Sequence, residues 1–238
     1  LLYQREKPFL PQKLQASVAF IDIPAQELKD NFLLNASLNF LQAKKIMKGY
    51  EDGSFKPENP INRAEFIKML AESLAAGEIP DKKVPCFRDV KGNEWFSKYV
   101  CHAKDRTWTQ GYEDGNFRPE GTLNQAEIVK ILVTSMGWNP ETTKISEAPL
   151  EKISENEWFS KYYKLAVARK VIMQNEVSPE KLLTRKEVAT MLFRTILIDT
   201  LKIAQFDEKK VPDFFRITNV SFTAEPQPFT KEPAPKKK

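Results

Sequence analysis

Residues 44–70, KKIMKGYEDGSFKPENPINRAEFIKML, return at 106–132 as RTWTQGYEDGNFRPEGTLNQAEIVKIL. Gly49 and Gly111, Tyr50 and Tyr112, Asp52 and Asp114, Gly53 and Gly115, Phe55 and Phe117, Pro57 and Pro119, and Glu65 and Glu127 all stand 62 residues apart. NEWFSKYV at 93–100 is repeated as NEWFSKYY at 156–163, an offset of 63. The box NRAE at 62–65 comes back as NQAE at 124–127 and, more loosely, as TRKE at 184–187. The chain thus reads as three related units, the third shortened, and such units gain stability by stacking on one another around a shared core.

Each unit reads as helix, loop, helix. In the second, Trp95, Tyr99, Val100 and Ala103 recur at helical spacing, and Gly111 supplies a left-handed residue on which a helix can end. The Asp-Gly that follows marks a tight turn, with Tyr112 and Phe117 placed to pin the loop to the core. Asn62, Asn124 and Thr184 are good N-caps, each with a Glu three residues later (Glu65, Glu127, Glu187), which is the pattern of a capping box. Behind each box an i, i+3, i+4 apolar set follows: Phe66, Met69 and Leu70; Ile128, Ile131 and Leu132; Val188, Met191 and Leu192. The predicted class is all-α, three helix-loop-helix repeats in a pseudo-threefold bundle with short irregular ends. Its divisions are a connector at 1–19, repeats at 20–78, 79–140 and 141–205, and a linker or the start of a following domain at 206–238.

Capping accounts for the first and last positions of the box and leaves the second unexplained. Arg63 and Arg185 fall in the first helical turn, where a cation opposes the helix dipole by a few tenths of a kcal/mol. Surface solubility and the holding of an anion beside first-turn amides are the two readings of that cost.

Composition excludes more than it selects. Hydrophobic residues make up 41% and charged residues 29%, and no apolar run is long enough to span a membrane. The net charge of +5 is diffuse, and part of it lies in the terminal KEPAPKKK, which reads as a solvated tail. Nothing before Phe20 has the layout of a signal peptide, so the chain reads as a mature product or a fragment. Cys86 and Cys101 are either two buried thiols or a disulfide, and export would favour the bond. With one histidine, His102, and no phosphate loop or convergent Ser/His/Asp set, an enzyme or a metal site has little to stand on, and no cofactor is expected. Asp52 and Asp114 read as turn formers without the alternating oxygen ligands of a calcium loop. Trp95 and Trp158 at helical spacing read first as core residues. FRITNVSFTAEP at 215–226 alternates like a short strand.

The combination of FRDV at 87–90, EWFSKYV at 94–100 and GYEDGNFRPEGTLNQAE at 111–127, with their counterparts, resembles the S-layer homology domain family over roughly residues 20–198. That resemblance implies a non-catalytic module at the bacterial cell envelope, outside the cell. It would bind an anionic, often pyruvylated, secondary cell-wall polysaccharide in grooves between repeats, with room for self-association in a surface layer, no nucleic acid partner and no membrane span. A ketal carboxylate suits an Arg fork and a sugar ring suits an aromatic face. Carried over residue by residue, the groove set is Arg63, Arg185 and Gln125 from the boxes, Asp22 and Asp89 from the F-x-D segments, Trp95 and Trp158, and the loop glycines Gly49 and Gly111. No unit is complete: the second has Gln125 for Arg, the first has Leu33 for Trp, and the third has LEK at 150–152 for the Asp segment and a loop three residues shorter. Neighbouring units could still pool one full set, for instance Asp89 and Trp95 with Arg63 or Arg185. The rival is a helical scaffold for another protein whose grooves do nothing, and an anchoring module of a polysaccharide-degrading enzyme would change only the parent protein.

Overall fold

The computed structural model describes residues 14–15, 20–75, 77–81, 83–142, 150 and 153–222. Its helices are α1 (Ala25–Asp30), α2 (Phe32–Ala43), α3 (Arg63–Leu74), α4 (Ser97–Asp105), α5 (Gln125–Ser135), α6 (Ser160–Ala168), α7 (Arg185–Leu201) and α8 (Val211–Thr218). The strands β1 (Leu14–Gln15) and β2 (Val220–Ser221) pair in parallel, Leu14 with Val220. The protein is mainly helical, and among the described residues no helix is long and apolar enough to cross a membrane.

All three boxes fold as capping boxes. The side chains of Asn62, Asn124 and Thr184 accept from the amides of Glu65, Glu127 and Glu187, and each Glu carboxylate accepts from the cap amide in return. Two first-turn amides per helix remain to be satisfied. The Arg63 and Ala64 amides donate to the Gly121 and Pro119 carbonyls of the second unit's loop. Those of Gln125 and Ala126 donate to Lys181 and Pro179 in the third, and those of Arg185 and Lys186 to Asn59 and Pro57 in the first. Every second helix is thus started by the loop of the next unit, and the last is started by the first. Isolated β-bridges follow the same circuit: Asn62 with Thr122, Asn124 with Leu182, Pro60 with Thr184. Ile61, Leu123 and Leu183, each just before its cap, are buried where these contacts meet, with the Ile61 amide donating to Leu183 and the Leu183 amide to Leu123.

Helix pairing crosses unit boundaries too, with α2 on α7, α4 on α3 and α6 on α5. The first helix of each unit ends on a left-handed residue that is not glycine: Lys45 (φ 61°), Thr107 (φ 60°) and Lys170 (φ 55°). The helix expected to stop at Gly111 therefore stops four residues earlier, where the Thr107 and Trp108 amides donate to the Lys104 and Ala103 carbonyls in the manner of a Schellman end. That helix also starts later than the apolar spacing suggests: α4 begins at Ser97, so Trp95 lies in the turn before it.

The C-terminal segment departs most from expectation. Of the stretch 215–226 whose alternation suggests a strand, residues 215–218 lie in a helix that begins at Val211, and among the described residues of that stretch only Val220–Ser221 is extended. Two adjacent phenylalanines face inward: Phe214 packs on Phe40 and Phe193 with ring centroids 4.6 and 5.4 Å apart, and Phe215 stacks on Phe222 at 4.7 Å. Asn219, left-handed at φ 56°, caps the helix. This helix covers the α2–α7 seam. Cys86 and Cys101 are joined by a disulfide that ties the loop before Phe87 to α4. The Lys-rich tail and residues 151–152 lie outside the described residues.

Candidate functional site

The box arginines are buried, and their first partner is protein. The Nε of Arg63 donates to the Phe117 carbonyl at 2.9 Å, its Nη1 lies 3.4 Å from Glu127, and its guanidinium stacks on Tyr112 and Phe117 at 4.8 and 4.9 Å from the ring centroids. Arg185 repeats this on the first unit's loop, with Nε on the Phe55 carbonyl at 2.8 Å, Nη1 3.9 Å from Glu65, and the plane 5.0 Å from both Tyr50 and Phe55. Burial pushes the Arg63 guanidinium below its ordinary pKa, and burial likewise raises the phenols of Tyr50 and Tyr112, which stay neutral. The cost of a cation in the first turn is offset by a stacked, hydrogen-bonded fork at a unit seam. The first-turn amides are themselves occupied, so an anion held there by bare amides is ruled out.

Asp22 and Asp89 hold the same loops from the other side. Asp22 accepts from the Phe55 and Lys56 amides at 2.7 and 2.6 Å, and Asp89 from those of Phe117 and Arg118, both at 2.7 Å. Lys56 and Arg118 are left-handed at φ 56° and 60°, a conformation that this two-amide clamp fixes. Both carboxylates point into the loop backbone. Gly111, at φ 71°, is required twice over: a Cβ there would come within 2.6 Å of the Phe87 ring, and one at Gly49 would meet the Phe20 ring at the same distance.

The tryptophans are not core residues. Trp95 is 58% exposed and Trp158 52%, because the next residues, Phe96 and Phe159, take the inward positions and support the indoles edge-on at 5.4 and 5.2 Å. Trp95 walls a hollow of about 170 Å³ that also takes in Tyr50, Glu65 and Lys68 of the first unit and Arg185 of the third. One groove thereby draws on all three units, pairing Trp95 with Arg185 and leaving out Arg63 and Asp89. Its lining carries three cations, Lys48, Lys68 and Arg185, against one carboxylate, Glu65. The equivalent positions of the next seam hold Arg63 with Tyr112 and Glu127, and Lys130, whose ammonium lies 5.2 Å over the Trp158 ring. Lys68 and Lys130 were missed from sequence, although each stands three residues past its box Glu, on the same helical face.

The third seam is different. Leu33 stands where a Trp would be and Gln125 where an Arg would be, and with the shortened loop they border a wider hollow of about 740 Å³. Gln125 is buried and engaged at both ends: Oε1 accepts from the Tyr163 hydroxyl at 2.9 Å and the Ser178 amide at 2.7 Å, and Nε2 donates to the Glu176 carbonyl. The charges along this hollow are matched internally. Arg194 pairs with Glu176 at 2.9 Å, Lys181 with Glu187, and Lys186 with Glu58 and Glu27.

The structure is thus a closed circuit of helix-loop-helix units with a tryptophan-walled, cation-lined hollow, beside Trp95, that draws on all three. In comparison with known proteins, the S-layer homology domain profile matches residues 36–67 and 87–129. Relatives include the middle cell wall protein of Brevibacillus brevis (26% identical over 70% of this chain and 15% of the relative) and the cellulosome-anchoring protein of Acetivibrio thermocellus (28% over 70% and 39%). The S-layer protein sap of Bacillus anthracis is 25% identical over 91% of this chain and 26% of its own length. The chain thus spans well under half the length of each of these relatives.

Proposed function

We propose that this chain is a non-catalytic, extracellular module that anchors a longer protein to the cell wall by gripping an anionic envelope polysaccharide. The observation that carries the proposal is the groove in which exposed Trp95 stands beside Arg185, Lys48 and Lys68, with Glu65 facing Arg185, Glu72 paired to Lys68, and Lys48 left as the surplus cation. An exposed indole offers an apolar face to a sugar ring, and a surplus cation beside it calls for a carboxylate such as that of a pyruvate ketal. The self-compensated third seam makes no such demand, so at most two grooves, at Trp95 and Trp158, serve the acidic sugar. The match of two segments to the S-layer homology domain and the similarity to a cellulosome-anchoring protein support the anchoring role.

The test is co-sedimentation with cell-wall sacculi before and after chemical removal of their non-peptidoglycan glycan. Binding should vanish on stripping, weaken with ionic strength, and fall about tenfold, equivalent to about 1.4 kcal/mol, in Trp95→Ala. Trp95 is the informative position because its exposure lets it be removed with the fold intact. Equal binding to both preparations, or none to either, would discard glycan anchoring and leave a scaffold for another protein.

A further inference from the structure

Trp95 borders a second hollow that the groove does not use. It has a volume of about 370 Å³ and is lined by Asp81, Lys83, Gly92, Asn93, Glu94 and Lys98, and Trp95 is the one residue it shares with the lining of the Arg185 groove. The indole is therefore a ridge with a hollow on each side. The two hollows differ in charge: three cations against one carboxylate on the groove side, two cations against two carboxylates on this side. The floor of the second hollow is fixed in place. Glu94 accepts from the Lys91 and Gly92 amides and from the Ser97 hydroxyl at 2.6 Å, and Gly92 is left-handed at φ 100°, with a Cβ there meeting the Lys83 carbonyl carbon at 2.7 Å. These contacts hold the turn rigid while Asn93 stays exposed and Lys98 half-buried at its edge.

We infer that this hollow is a second sugar subsite, for the uncharged residue next to the acidic one in the same glycan chain, so that the polymer crosses the Trp95 edge from a cationic hollow into a neutral one. The inference rests on the anchoring reading. A charge-balanced, amide- and ammonium-edged hollow recognises hydroxyl and acetamido groups without selecting a carboxylate, and one exposed indole supplies a wall to both rings. The site thereby measures chain length as well as acidity.

The experiment is calorimetric titration of the wild-type chain and of Asn93→Ala/Lys98→Ala with two probes. One is a methyl hexoside bearing a pyruvate ketal, and the other is that acidic sugar extended by one neutral sugar, cut from purified wall polysaccharide. The wild type should bind the longer probe about tenfold tighter, the size of two ordinary hydrogen bonds. The double variant should lose that gain and keep the single-sugar affinity, which also reports an intact fold. A double variant that retains the gain, or a wild type indifferent to length, overturns the subsite while leaving anchoring in place. A wild type that binds neither probe removes the acidic-glycan reading itself and the subsite with it.

Discussion

Arg63 shows how one side chain serves both stability and the site. Its fork closes the first seam through the Phe117 carbonyl, and its plane backs the tyrosine of the next groove. Arg63→Ala should cost about 3 kcal/mol in urea unfolding, since it strands a buried carbonyl and removes a charge-assisted bond. Arg63→Lys should recover little, because an ammonium cannot reproduce the planar, stacked fork. A loss under about 0.5 kcal/mol for the alanine variant would show that the seam does not depend on it. Loss of glycan binding in such a variant would be ambiguous, whereas loss in Trp95→Ala would not. The box sequence disclosed the cap and the Glu, since both act within four residues. It could not disclose that Arg63 looks 54 residues ahead to a carbonyl, because a long-range backbone partner leaves no local signature.

At the scale of elements, the capping boxes and the apolar stripes of α3, α5 and α7 were legible because both follow the helical period. The start of α4 and the exposure of Trp95 were not. Apolar spacing could not tell which of two adjacent aromatics, Trp95 or Phe96, turns inward. The same ambiguity hid α8, whose Phe214 and Phe215 both face the core through contacts with α2, α7 and Phe222 rather than through any periodic pattern. Phe214→Ala should therefore destabilise the whole ring by about 4 kcal/mol and lower its melting temperature by about 10 °C. A melting temperature unchanged by Phe214→Ala would mean that α8 docks without contributing to the core.

On the scale of the molecule, the repeat dictated that units must stack, and the circuit of amides shows how they close: 63 to 121, 125 to 181, 185 back to 59. The Trp95 groove takes its arginine from the third unit, its tryptophan from the second and its tyrosine from the first, so no single unit owns it. Truncation after residue 142 should leave the Pro57 and Asn59 carbonyls without donors, strip α2 of α7, and abolish cooperative melting of the first two units; a truncated chain that melts as sharply as the whole would contradict this. The closure also sets an order of events. Arg185 must reach Phe55 across 130 residues, so a chain emerging amino end first from a translocation channel cannot lock until nearly all of its repeats are through. Until then the circuit stays open between Arg185 and Phe55 and the hollow beside Trp95 lacks its arginine, so on the proposed anchoring reading the grip on the wall is the last feature to be completed.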